Sequence, residues 1–188
     1  MRLSEHKDLK IEIKSLPEKE KDKLLLRLIA KDKVLTEHLH FMLLENEEDL
    51  ALRYQSLLDD IDGSIKELKS TQKASSKDTL LKLRKLSGCI SHHQKVTKDT
   101  MTEIELRIHL LKNVPIDFKD GVFSPMYKFN EKLYIYYAKA VIALLNKFKK
   151  LHEDIQFDMK EQVNTILTKI YTHKTAGVAT ELGVPKEL

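Results

Sequence analysis

Between Leu133 and Leu145 a single charged residue, Lys139, interrupts an otherwise uncharged run of large side chains, and that run leaves few folds open. Stepping by three or four residues, Leu133, Tyr137, Val141, Leu144, Phe148, Leu151 and Ile155 make one continuous helical stripe. Tyr134, Ala138, Ile142 and Leu145 make a second row beside it. The opposite line of Lys132, Lys139, Asn146 and Glu153 is the one wet strip. A helix apolar over so much of its circumference must be enclosed by other helices. Its nearly uncharged part, about 13 residues, falls short of the roughly 20 that cross a bilayer, so a buried core helix is expected and no transmembrane segment. Because more than one face is apolar, a leftover patch for pairing with a second copy is also expected.

Composition supports a helical reading. Five glycines and four prolines among 188 residues, 33% of them charged, suit long helices with solvated faces and leave little material for hairpins. With 41% hydrophobic residues the chain can build one core without a metal, cofactor or disulfide. The expectation is an all-α, single-domain bundle, or stack of helical hairpins, of about six helices over residues 1–174. One cysteine, Cys89, and an N-terminus without signal-peptide order point to a cytoplasmic setting.

Along the chain, Leu9, Ile13 and Leu16 fit a short first helix. Ser15, Pro17 and Glu18 form a capping-box signature for a helix running to about Leu44, with Leu24, Leu28, Leu35, Leu39 and Met42 inward. Asn46, with Asp49 in the first turn, opens the next helix, striped by Leu50, Tyr54, Leu57, Ile61 and Leu68. Gly63 predicts a kink or an early end near Asp62. Lys69 to Ser76 reads as a connection, with Ser76 capping a helix that places Leu80, Leu83, Leu86 and Ile90 inward and ends near His93. Asp99 or Thr100 caps a stripe of Met101, Ile104, Ile108 and Leu111 that stops at Val114 before Pro115. A loop from Pro115 to Ser124 leads through Ser124-Pro125 into the apolar helix. Leu151 to Phe157 continues that helix or bends away. Asp158 predicts a cap for a last helix, with Met159, Val163, Ile166 and Ile170 inward, and the small residues of 175–188 predict a tail that is mobile unless it docks. No residue signature recurs from helix to helix, so a repeat array is not expected.

Leu16-Pro17-Glu18, the acidic turn from Glu45 to Asp49, the segment from Thr100 to Pro115, and the stretch from Leu151 to Asp158 together resemble an uncharacterised all-helical family of bacterial proteins. The resemblance implies an all-helical fold and a bacterial cytoplasmic setting, and no role for any residue.

Charge is uneven. Residues 1–60 carry 11 Lys and Arg against 14 Asp and Glu, residues 61–150 carry 18 against 9, and the remainder 4 against 6. The basic middle centres on 69–98, where Lys69, Lys73, Lys77, Lys82, Arg84, Lys85, Lys95 and Lys98 meet one acid, Asp78. With His92, His93 and Gln94 this segment is the candidate binding surface for a protein partner or, alternatively, for nucleic acid through phosphate contacts. On a helical wheel, however, Lys77 and Arg84 share one flank, Lys82 takes the other and Lys85 points toward the back. The segment also lacks an aromatic residue on which a base would stack, so a solvated basic face is the plainer reading.

Enzyme signatures do not assemble. Glu37 and His40 have the Glu-x-x-His spacing of dinuclear carboxylate bundles, but the second copy is missing, since Glu105 and His109 are four apart. Adjacent His92 and His93 project about 100° apart on a helix, and His152-Glu153-Asp154 spreads around a turn. Arg84 precedes His92 by seven intervening residues and Arg2 precedes His6 by three, neither the four to six of a helical nuclease motif. Cys89 beside an apolar stripe reads as a packing residue. Tyr134, Tyr136 and Tyr137 read as core, with a ligand cavity as the alternative. The sequence therefore predicts a non-enzymatic helical module that binds a protein partner or itself.

Overall fold

The structure, a computed structural model, describes residues 5–70, 75–118 and 127–188. Among them are nine helices and no strand, so the all-helical expectation holds. The chain divides into two compact units, Met1–Asn46 and Glu47–Leu188.

The N-terminal unit contains α1 (Lys7–Ser15), α2 (Glu18–Ile29) and α3 (Lys33–Leu44). The single helix expected up to Leu44 is broken at Asp32. Its backbone is extended, at φ −121°, and its carboxylate accepts the Leu35 amide at 3.1 Å. A short acidic side chain here satisfies the first amides of a new helix better than it continues an old one. Thr36 Oγ1 locks the junction by donating to the carbonyls of Ile29 and Asp32, both at 3.0 Å. The capping box expected from Ser15 and Glu18 does not form. Ser15 ends α1, where its hydroxyl donates to the Glu12 carbonyl at 2.8 Å, and Pro17 occupies the N-cap of α2.

The second unit contains α4 (Glu47–Ser70), α5 (Ser76–Thr97), α6 (Thr100–Asn113), α7 (Tyr127–Phe148), α8 (Glu153–Thr172) and α9 (Ala176–Glu181). Helix α4 runs through Gly63 without the expected interruption, since buried Ile61, Ile65 and Leu68 anchor it on both sides. Ser75, one residue before the expected cap, starts α5 with a complete capping box against Asp78, and Ser76 is buried. The helix continues past His93 to Thr97. Lys98 closes it in the left-handed conformation, at φ 60°, its amide bonded to the Gln94 carbonyl at 2.9 Å. Asp99 then caps α6 through the amides of Met101 and Thr102. Val114 ends it, with Pro115 following. The expected connection overlaps 71–74, and the loop to Ser124 with its Ser124-Pro125 start overlaps 119–126; these parts lie outside the described residues.

Helix α7 is the core element its composition demands. Leu133, Tyr137, Val141, Leu144 and Phe148 are buried, and so are Tyr134, Ala138 and Leu145 of the second row. No large hydrophobic side chain of α7 is exposed among the described residues, and Ile135, Tyr136 and Ile142 are half-buried. The stripe also stops short. Lys149 to Leu151 form a turn, His152 caps α8 through the Asp154 amide, and Asp158 lies inside that helix instead of before it. Met159, Val163, Ile166 and Ile170 do face inward. Residues 175–188 are docked: Ala179 and Val184 are buried, the Tyr171 hydroxyl donates to the Val184 carbonyl, and the Leu188 amide donates to Asn164 Oδ1 at 2.9 Å.

Two polar devices lock the bundle. Lys169 of α8 donates to the carbonyls of Leu111, Lys112 and Val114 at 3.0, 2.8 and 2.6 Å, closing the C-terminus of α6. Burial and neighbouring Lys69 pull its pKa down to about 8. At neutral pH it remains an ammonium, the form with three hydrogens for three carbonyls and the charge that a helix C-terminus favours. Lys169→Met is expected to lower stability by about 2–3 kcal/mol by stranding those carbonyls. Denaturant unfolding checks this, and a loss within the roughly 0.5 kcal/mol of an ordinary surface change would reject the assignment.

The second device is Glu103 of α6, 1% exposed. Its carboxylate accepts from Arg107 Nε at 2.9 Å and pairs with Lys147 of α7, while Arg107 Nη2 reaches Ser91 Oγ of α5 at 2.9 Å. One buried acid thereby ties three helices together.

Candidate functional site

The structure disperses the basic segment. Lys77 and Arg84 face α7. Lys82, on the other flank of α5, is partly buried against Glu67 of α4. Lys85 and His92 line a groove between α4 and α5, His93 is buried beneath it, and Lys95 and Lys98 are exposed toward the helix end. These eight residues therefore form no single surface, in keeping with the wheel.

The α4–α5 groove has a volume of about 680 Å³, with Leu52, Leu57 and Cys89 on its apolar side, Arg53 and Lys85 as its cationic groups, and His92 beside them. Gly88 leaves it wide, since a Cβ there would meet nothing within 4 Å. His93 Nε2 lies 3.2 Å from Thr102 Oγ1 of α6. Burial pushes its pKa below the ordinary histidine value, with Arg53 and His92 acting in the same sense and Asp99 and Glu103 opposing. A group lowered in this way takes up its proton in the unfolded chain first, so it removes stability as pH falls through about 6.5 and below. His93→Leu is expected to flatten that part of the acid unfolding profile. An unchanged slope between pH 7 and 5 would contradict the buried neutral imidazole.

The α5–α7 groove gathers what the linear sequence keeps apart. Over a volume of about 390 Å³ it sets Lys77, Leu81 and Arg84 opposite Phe129, Lys132, Tyr136 and Lys139. The Lys77 ammonium lies 5.7 Å from the centre of the Phe129 ring, and the Arg84 guanidinium 5.3 Å from that of Tyr136. Both pairs advance by seven residues, so α5 and α7 run in the same direction. Lys128 and Lys132 add two more ammoniums over Phe129, at 5.5 and 5.7 Å. The aromatic residues missing from the basic segment are supplied by α7. Lys132 and Lys139, which the sequence marks as a solvated strip, form its far wall. The heptad steps 77→84, 129→136 and 132→139 were the available signal, but only the parallel packing of α5 and α7 joins them.

Other sequence candidates disperse. His40 Nδ1 pairs with Glu45 at 2.9 Å and His109 with Asp62 of α4 at 2.6 Å. Among the described residues no three His, Cys, Asp or Glu side chains gather as a metal-ligand set. Tyr137 is fully buried, its hydroxyl donating to the Leu111 carbonyl at 2.8 Å, and burial drives its pKa far above the usual phenol value. It packs the core and lines no cavity among those described. Among the described residues no helix is long and apolar enough to cross a membrane.

Apolar surface gathers instead in the N-terminal unit. Among the described residues, ten of the fourteen exposed large hydrophobics lie in 5–46, including Leu26, Leu43 and Leu44 at 65%, 72% and 73% exposure. None of that unit's three helices has a buried residue. Comparisons with protein-family models, curated proteins and solved structures return no significant match.

Proposed function

We propose that this chain is a non-catalytic, cytoplasmic helical interaction module whose N-terminal unit associates with a second copy of itself. The observation that carries the proposal is the concentration of exposed leucines on α2 and α3. Each of these helices has 12 residues and buries none of them. Helices of that length are marginal alone in water, and their stability comes from packing an apolar face. An identical partner suits the charge as well as the apolar surface: residues 5–46 carry nine Lys and Arg against nine Asp and Glu, so two copies meet without net repulsion. A two-fold arrangement uses the same patch twice. The resemblance to an uncharacterised all-helical bacterial family suggests the same setting and supplies no role for any residue.

Amide hydrogen exchange at several protein concentrations tests it. Protection over residues 18–44 is expected to rise with concentration, while protection of 127–148 stays constant. Concentration-independent exchange over 18–44 would contradict the proposal.

A further inference from the structure

The α5–α7 groove belongs to the 47–188 unit and shares no residue with α2 or α3. We propose that it binds single-stranded nucleic acid, holding phosphates on Lys77, Arg84, Lys132 and Lys139 and stacking bases against Phe129 and Tyr136. Three observations lead there. First, no acidic side chain lines the groove among the described residues. Cations on both walls of a groove without a lining carboxylate complement a chain of regularly spaced negative charge.

Second, the groove repeats one composite unit, a cation set over a ring. Lys77 with Phe129 and Arg84 with Tyr136 are one heptad apart, about 10 Å along each helix at 1.5 Å per residue. Three ammoniums converge on Phe129 alone. Rings flanked by cations suit a ligand that alternates planar bases with phosphates, because stacking accepts any base while the cations track the backbone. A purely anionic surface, such as an acidic protein or a lipid headgroup layer, has no use for the rings.

Third, the groove carries apolar as well as charged surface. Leu81 is 54% exposed and lies between Lys77 and Arg84 on α5. The space of about 390 Å³ is at the small end for a ligand pocket, which favours unstacked nucleotides entering one or two at a time over a duplex. A duplex keeps its bases stacked inward and offers the rings nothing.

Fluorescence anisotropy of the full chain with a labelled thymidine oligonucleotide tests this. If four phosphates are contacted, affinity is expected to fall roughly 50-fold between about 50 and 200 mM salt. Arg84→Glu combined with Lys132→Glu should remove binding at either salt. Lys85→Glu, which reverses a charge in the other groove, should change it far less. Tyr136→Ala is expected to weaken binding by tenfold or more, whereas Tyr136→Phe keeps the ring and should bind as the native chain does. Equal loss in both tyrosine variants would remove the stacking role and overturn the proposal. So would absence of binding at low salt, insensitivity to the double charge reversal, or equally tight binding of duplex DNA or of anionic phosphatidylserine vesicles. Because every substituted residue lies in 47–188, the Leu26 and Leu43 variants described below, which act on self-association, report on the other proposal separately.

Discussion

Glu103→Leu is expected to destabilise the 47–188 unit by about 3–5 kcal/mol, the cost of breaking a buried ion pair from one side. The native carboxylate is enclosed and answers two cations at once, Arg107 on its own helix and Lys147 on α7. Leucine fills similar space but leaves the Arg107 guanidinium, 15% exposed, without its counter-charge. Lys147, at 38% exposure, can turn its ammonium to water and recovers part of the loss. The triple replacement Glu103→Leu, Arg107→Leu, Lys147→Met should regain most of the stability, since an apolar set of similar volume is often as stable as the ion network it replaces. Chemical denaturation followed by helical circular dichroism measures all of these. A Glu103→Leu cost below about 1 kcal/mol, the range of exposed pairs, would show that the network does not tie α5, α6 and α7 together.

The second large effect belongs to the N-terminal unit. Leu26 and Leu43 are among the most exposed leucines of α2 and α3 and contribute nothing to the core. Replacing both with glutamate is expected to weaken self-association by more than about 100-fold. Each buried leucine contributes about 1.5–3 kcal/mol, and a two-fold interface loses every contact twice. Thermal unfolding of the 47–188 bundle should be unaffected, because neither residue belongs to its core. An association constant that survives the double substitution would move the interface elsewhere on the chain.

How far the sequence discloses this protein depends on whether a signal is local. The α7 stripe from Leu133 to Phe148, the Asp99 cap and the stop at Val114-Pro115 rest on residues within a turn or two of one another, and all are found where spacing puts them. The break at Asp32 is local as well, but a lone aspartate between two lysines competes with a strong leucine pattern running through it. Lys98 closes α5 in a conformation usually given to glycine or asparagine, so no residue type announced the end. Docking of 175–188 turns on Ala179 and Val184, too small and too few to make a stripe. Glu103 with Lys147, Lys169 with the α6 carbonyls, and the cation–ring pairs of the α5–α7 groove join residues far apart in the chain. No periodicity reports them, and the missing step is which helix lies beside which. For the same reason the basic segment, read alone, lacked aromatics that α7 places next to it.

Sedimentation equilibrium of the full chain, from low to high micromolar concentration, decides whether the N-terminal unit self-associates. The native protein is expected to show a mass that rises from one chain of 21.9 kDa toward two, with the Leu26→Glu, Leu43→Glu variant held at one. A single-chain mass for the native protein at every concentration would contradict self-association as the role of the N-terminal unit.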